Sequence, residues 1–233
     1  MNAGMKEYRK RPRLVGNLPI VDKRYYIFCE GEKTEPQYFE GFKRAIESYH
    51  MYRNLVFVEI HGLGKETLSI LKDAEKKVKD EDLRNAQVWI VYDKDSNPDE
   101  RFNAVSERAG ILNKSSSSIE YRVAWSNQCI EYWFILHFDF YASDNDRKFY
   151  VEYLSKKFRQ FGLKKYEKND NGLFDKLMEF GNPKQAIKWS KRRIEDLKGC
   201  TDAKSAPATK LHELVEELSR YLPPDIKIKY RDD

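Results

Sequence analysis

"RYYIFCEGEKTEPQYF", Arg24 to Phe39, runs from an apolar segment into two acids around a glycine and then into helical spacing. Arg24–Cys29 reads as a short buried strand. Thr34 with Gln37 three residues on fits a capping box, and Pro36 costs no hydrogen bond in a first helical turn. Tyr38, Phe39, Phe42, Ile46 and Tyr49 then recur at the period of a helix with one buried face. The stretch is therefore strand, acidic turn, helix.

The same alternation continues. LVFVEI (Leu55–Ile60) is a second strand, closed by HGLGK, and Glu66–Lys79 is a charged amphipathic helix with Leu68, Leu71, Ala74 and Val78 inward. QVWIVYD (Gln87–Asp93) is a third strand, a helix starts at Pro98 and runs to about Leu112, and NKSSSS is a loop with nothing to bury. IEYRVAW is a fourth strand, and Gln128–His137 reads as a helix. Strands alternating with helices predict an α/β fold, a Rossmann-like and mainly parallel sheet covered by helices on both faces. After Phe140 only helical periodicity is clear, over 146–161, 173–180, 183–198 and 209–221, with no clear strand before the tail IKIKY. The expected organisation is a basic N-terminal arm (1–23), an α/β core (24–140) and a helical C-terminal extension packed on the core (141–233).

Composition narrows the class. With 233 residues, 40% hydrophobic and 14% aromatic, the chain can bury a core, so global disorder is not expected. Cys29, Cys129 and Cys200 are far apart and form no CxxC pair, which points to a reducing compartment without a zinc or disulfide framework. The basic first residues lack the apolar centre of a signal peptide, and CIEYWFILHF is too short to span a bilayer. A cytoplasmic protein without membrane contact is the expectation; oligomeric state is left open.

The net charge of +5 is unevenly placed: residues 1–24 hold seven bases and two acids, an excess equal to that of the whole chain. Arg9, Lys10, Arg11 and Arg13 of this arm, with Lys184, Lys188, Lys191 and Arg192 of the stretch KQAIKWSKRR, are candidate contacts to a phosphate backbone. The plainer alternative is a solvated arm and an ordinary amphipathic helix.

The ends of the strands carry the chemistry. The first runs into Glu30-Gly31-Glu32 and the third into Asp93-Lys94-Asp95. In a parallel sheet both lie on one edge, where open α/β sheets form their sites. Glu30, Asp93 and Asp95 can therefore converge, and carboxylates so close stay ionised only around a cation. Such hard oxygen ligands suit Mg²⁺ or Mn²⁺; the alternative is acids that serve turns and helix caps. The fourth strand leads to Asn127 and then Glu131, which either approach the same cluster or, for Glu131, face the helix dipole or an arginine. His137 and His61 read as structural more readily than catalytic. GLGKET is not a phosphate-binding P-loop, because Glu59 stands where its first glycine is needed and Glu66 follows the lysine; Lys65 then reads as a surface turn residue. Trp189 is a core anchor or a base-stacking residue, and Thr209 is a possible cap of the last helix.

A strand ending in Glu-Gly and another ending in Asp-x-Asp resemble the Toprim domain of topoisomerases, primases and overcoming-lysogenisation-defect nucleases. More narrowly, EGEKTEPQYF, VYDKDS, SNQCIEYWFILHF and APATKLHELVEEL, between residues 30 and 218, together resemble the RloB family. That family has proline where Gln128 stands. The resemblance implies a Toprim-like fold, a metal-dependent nuclease acting on DNA or RNA with Mg²⁺ or Mn²⁺, and a role in bacterial defence against phage and abortive infection. It also implies an ATPase partner of the ABC or AAA type. Carried over by position, Glu30 serves acid–base chemistry or metal binding and Asp93 and Asp95 bind metal; Glu131, from its place beyond the fourth strand rather than from the resemblance, is a further candidate catalytic residue. Three readings result: a nuclease holding metal at Glu30, Asp93 and Asp95, a non-catalytic regulatory or nucleic-acid-binding subunit of an ATPase-containing defence complex, or nucleotidyl transfer of the primase kind.

Overall fold

The computed structural model describes residues 22–115 and 118–230. Four strands, β1 (Lys23–Cys29), β2 (Val56–Gly62), β3 (Ala86–Asp93) and β4 (Ile119–Asn127), form a parallel sheet in the order β2-β1-β3-β4. Strands consecutive in the chain are joined by crossover helices: α1 (Thr34–Ser48) from β1 to β2, α2 (Thr67–Asp80) from β2 to β3 and α3 (Asp99–Ser115) from β3 to β4. The chain is thus an α/β protein with a Rossmann-like sheet.

Side chains alternate across the sheet because successive Cβ atoms point to opposite faces. Tyr25, Ile27, Cys29, Trp89, Val91 and Ala124 face one layer, where they meet Tyr38, Phe39, Phe42 and Ile46 of α1. Tyr26, Phe28, Val88, Ile90, Tyr92 and Trp125 face the other, against Ile70 and Leu71 of α2 and Phe102 and Val105 of α3. The Val, Ile, Leu and Phe side chains among these contribute about 1.5–3 kcal/mol each when fully buried. With both faces covered, the two central strands read as continuous apolar runs, Tyr25–Cys29 in β1 and Val88–Tyr92 in β3.

Beyond β4 come α4 (Glu131–Ile135), α5 (Arg147–Gln160), α6 (Leu173–Phe180), α7 (Pro183–Asp196), α8 (Leu211–Ser219) and the single turn α9 (Pro224–Lys227). Tyr150 and Leu154 of α5, Phe174 and Leu177 of α6, and Leu211, Leu214 and Leu218 of α8 share one apolar cluster with β1 and α1.

Several local expectations are corrected. Helix α1 begins at Thr34 itself, and the Thr34 hydroxyl donates to the Lys168 carbonyl at 2.9 Å, so it ties α1 to a distant loop and is no cap. The helix expected over Gln128–His137 is shorter, Glu131–Ile135. Thr209 does not open the last helix as expected. It lies in a two-residue strand, β5 (Ala208–Thr209), antiparallel to β4 with Ser126 opposite Thr209 and Asn127 opposite Ala208. Its hydroxyl still accepts the Leu211 N–H at 3.2 Å. The tail IKIKY is no strand: it divides between α9 and a 3-10 turn at Ile228–Tyr230.

Candidate functional site at the carboxyl rim of the sheet

The site is assembled by strand register. The Glu30 N–H donates to the Val91 carbonyl at 2.9 Å, which carries the pairing of β1 with β3 one residue past the end of β1. The Glu30 carboxylate then accepts the Asp93 backbone N–H at 3.0 Å, so the two strand ends meet directly. On the far side, the Lys94 N–H donates to the Ser126 carbonyl at 2.8 Å and the Asp95 N–H to the Gln128 carbonyl at 2.9 Å. The Asn127–Gln128 peptide is cis, and Asp95 has a left-handed φ of 37°. The Asn97 side-chain amide braces the turn by donating to the Asp93 carbonyl and the Thr67 hydroxyl, both at 3.2 Å.

Arg147, the first residue of α5, stands over this rim. Its guanidinium lies 3.0 Å from an Asp93 carboxylate oxygen and 2.6 Å from one of Asp95. Its Nε is buried without a hydrogen-bond partner. Glu131 is 1% exposed; one of its oxygens accepts from the Tyr166 hydroxyl at 3.2 Å and lies 3.7 Å from Lys168 Nζ, while the other has no partner. Glu35, in the first turn of α1, is also buried. Its carboxylate occupies the space a Cβ at Gly31 would need, so the glycine is a close-approach position.

The electrostatics follow from burial. Glu30 is raised above the ordinary carboxyl range by loss of hydration, partly offset by the Asp93 N–H. Asp93 is raised well above that range by burial, then by Glu35 and Glu131, against the pull of Arg147. Asp95 is raised by burial, opposed by Arg147. Glu35 is pushed up to about 7 by burial, with Glu131 and Glu30 acting in the same direction against its own backbone N–H and Arg147. Five carboxyls thus act on one another against two cations among the described residues, Arg147 and Lys168. The rim is short of positive charge.

Two cavities flank it. One, of about 310 Å³, is lined by Gly31, Lys33, Glu35, Glu131, Arg147 and Lys168 among others. The second, of about 470 Å³, is lined by Asp95, Ser96, Gln128, Asn145 and Arg147 among others. Arg147 borders both.

Of the residues singled out from the sequence, Glu30, Asp93, Asp95 and Glu131 come together at this rim. Asn127 does not: its side-chain amide turns away and donates to the Ala203 carbonyl at 2.8 Å. His137 is buried against Trp133, with Nδ1 3.1 Å from the Trp133 carbonyl, and burial lowers it to about 4. His61 stacks on Phe28 at 4.6 Å, and Lys65 pairs with Asp73 at 2.6 Å. Trp189 packs against the main apolar cluster and Phe140. Lys188, Lys191 and Arg192 are exposed on α7 and Lys184 is half-buried; Lys191 pairs with Glu216, and Arg192 lies over the Phe140 ring. Arg9, Lys10, Arg11 and Arg13 fall outside the described residues. Glu35, Arg147 and Lys168 belong to the site but were not anticipated. Glu35, in the first turn of the helix after the Glu30 motif, carried a usable signal; the two cations carried none.

These features define an α/β protein with a carboxylate-rich site at the carboxyl rim of a parallel sheet. The model of the RloB-like protein family matches residues 25–218, and the chain belongs to that family. No curated protein and no solved structure matched it. No helix among the described residues is long and apolar enough to cross a membrane.

Proposed function

We propose that this chain is a nuclease that hydrolyses phosphodiesters of DNA or RNA with Mg²⁺ or Mn²⁺, and that it serves as an effector in bacterial defence against phage. The observation that carries the reading is the meeting of Glu30, Asp93 and Asp95 at one rim, backed by Glu35 and Glu131, with more carboxyls than cations. The donor set is all oxygen and fits a hard divalent ion. As the side chains stand, no three acidic, histidine or cysteine groups among the described residues are drawn tightly enough for a coordination shell. Arg147 fills the gap between the two aspartates. Glu30, Asp93 and Asp95 are the residues that would hold the ion, and its chemistry is to acidify a water and to neutralise charge on the phosphate.

The chain's own groups supply the rest. Glu30, held by the Asp93 N–H and raised by burial, is placed to take up or release a proton at its carboxyl. Lys33 and Lys168 line the adjoining cavity beside Glu32, Glu35 and Glu131, and would attract a backbone phosphate there once a divalent ion has neutralised the acids. Lys184, Lys188, Lys191 and Arg192 of α7 are a second group of cations that would meet a phosphate backbone.

The test is incubation with DNAs, total RNA and tRNA in Mg²⁺ or Mn²⁺, beside Asp93→Asn and the double variant Asp93→Asn/Asp95→Asn. Cleavage by the natural protein and its loss in a folded Asp93→Asn protein are expected. Cleavage that persists in the double variant overturns the metal assignment. The closure of both aspartates by Arg147 favours a second reading, a non-catalytic subunit that binds nucleic acid within a complex containing an ATPase. Titration calorimetry showing no Mn²⁺ uptake, together with normal nucleic-acid binding, would select it.

A further inference from the structure

We propose that Arg147 is a displaceable counter-ion of the aspartate pair, giving up Asp93 and Asp95 to the divalent ion and taking a substrate phosphate oxygen in exchange. The inference rests on the metal-dependent reading above and adds to it the residue that binds the scissile phosphate. The first support is geometric. One guanidinium reaches one carboxylate oxygen of each acid, at 3.0 and 2.6 Å, so a divalent ion that takes both aspartates competes with Arg147 for them. The second is that the site is not satisfied by Arg147 alone: one buried Glu131 oxygen and the Arg147 Nε both lack partners. Buried groups without partners are costly, and the arrangement is one that a further ligand improves. The third is position. Arg147 borders both cavities, and in the first it stands with Lys33 and Lys168 beside Glu32, Glu35 and Glu131, so that three cations are within reach of a phosphate once the acids are neutralised. Its planar fork of donors suits two oxygens of a phosphate as well as it suits two carboxylates. At 40% side-chain exposure and at the first position of α5, it moves without breaking the helix ladder.

The test compares Mn²⁺ binding by calorimetry in the full chain, in Arg147→Gln and in Arg147→Lys, with Asp93→Asn/Asp95→Asn as the control for site. Removing the competitor is expected to tighten Mn²⁺ binding about tenfold in Arg147→Gln and by less in Arg147→Lys. Mn²⁺ should also raise Tm more in Arg147→Gln than in the natural protein, because it replaces a lost buried charge partner. Cleavage by Arg147→Gln should fall at least a hundredfold at saturating Mn²⁺. If Arg147→Gln does not fold, Arg147→Lys carries the comparison alone. Mn²⁺ affinity that is unchanged or weaker in both variants, with the natural protein binding normally, overturns the role of Arg147 and leaves the metal reading intact. Absence of Mn²⁺ binding in every protein overturns both.

Discussion

Replacing Glu35 with glutamine should remove a pH-dependent penalty from the folded protein. Glu35 lies buried against Gly31, and its carboxyl moves from 4.5 to about 7 on folding, chiefly through burial. The folded state then holds a proton that the unfolded chain has released. The stability carried by that proton is complete below about pH 4.5 and is lost as pH rises through 7. Linkage over this interval amounts to about 3 kcal/mol at pH 8, of which about 1 kcal/mol is already gone at pH 5. Glutamine titrates in neither state. The stability of Glu35→Gln relative to the natural protein should therefore grow by about 2 kcal/mol between pH 5 and pH 8, or roughly 4–8 °C in Tm for a chain of this size. Relief of Asp93, which Glu35 also pushes upward, acts in the same direction.

The difference between the two proteins, rather than either curve alone, is the quantity to measure. His137, His61 and His212 are all lowered by burial, His137 to about 4. Their contribution is present above pH 6.5 and is lost as pH falls, opposite in slope to Glu35. It is common to both proteins and cancels in the difference. Urea unfolding at pH 5, 6, 7 and 8 in chelator gives the comparison. A gap that stays constant over that range, or one that shrinks as pH rises, would refute the assignment of Glu35 as a buried carboxyl that resists ionisation.

Two further outcomes test the scaffold. Tyr38→Phe should cost about 1–3 kcal/mol, because the Trp133 indole N–H, which donates to the Tyr38 hydroxyl at 3.0 Å in the core, is left unpaired; a urea midpoint equal to that of the natural protein would contradict it. Gly41→Ala should cost about 1–3 kcal/mol despite alanine's better helix propensity, since the new methyl runs into Phe174 and forces α1 from α6. Thermal unfolding reads this directly, and a stabilised variant would mean the two helices separate freely.

The fold was legible where local pattern and tertiary context agree. The buried strands are short apolar runs, the crossover helices show their inward faces, and both signals survive without knowledge of neighbours. The shared rim followed from topology alone, since parallel strands put Glu30 and Asp93 on one edge. The misses share one cause. Thr34 looked like a cap, Thr209 like a helix start and Asn127 like a site residue, yet each is claimed by a partner far along the chain: Lys168, β4 and the 202–203 turn. A side chain that can serve a local or a distant hydrogen bond gives the same sequence signal for both.

Arg147 is the sharper case. Helix α5, RKFYVEYLSKKFRQ, carries Arg147, Lys148, Lys156, Lys157 and Arg159, and nothing in their order marks the first as different. What distinguishes it is that Asp146 caps the helix, accepting the Phe149 N–H at 2.8 Å, while Tyr150, Leu154 and Phe158 bury one face of α5. Together these fix where the helix begins and how it is rotated, and so which cation reaches the aspartates. The acids could be read from the sequence because strand ends are ordered by the sheet. Their counter-ion could not, because it is placed by the packing of a helix whose first residue lies 54 positions from Asp93. A rim of crowded carboxyls does, however, require some positive charge, and that requirement was visible from the start. Arg147 meets part of it in the folded chain, which is why its removal and the binding of a divalent ion should compensate one another.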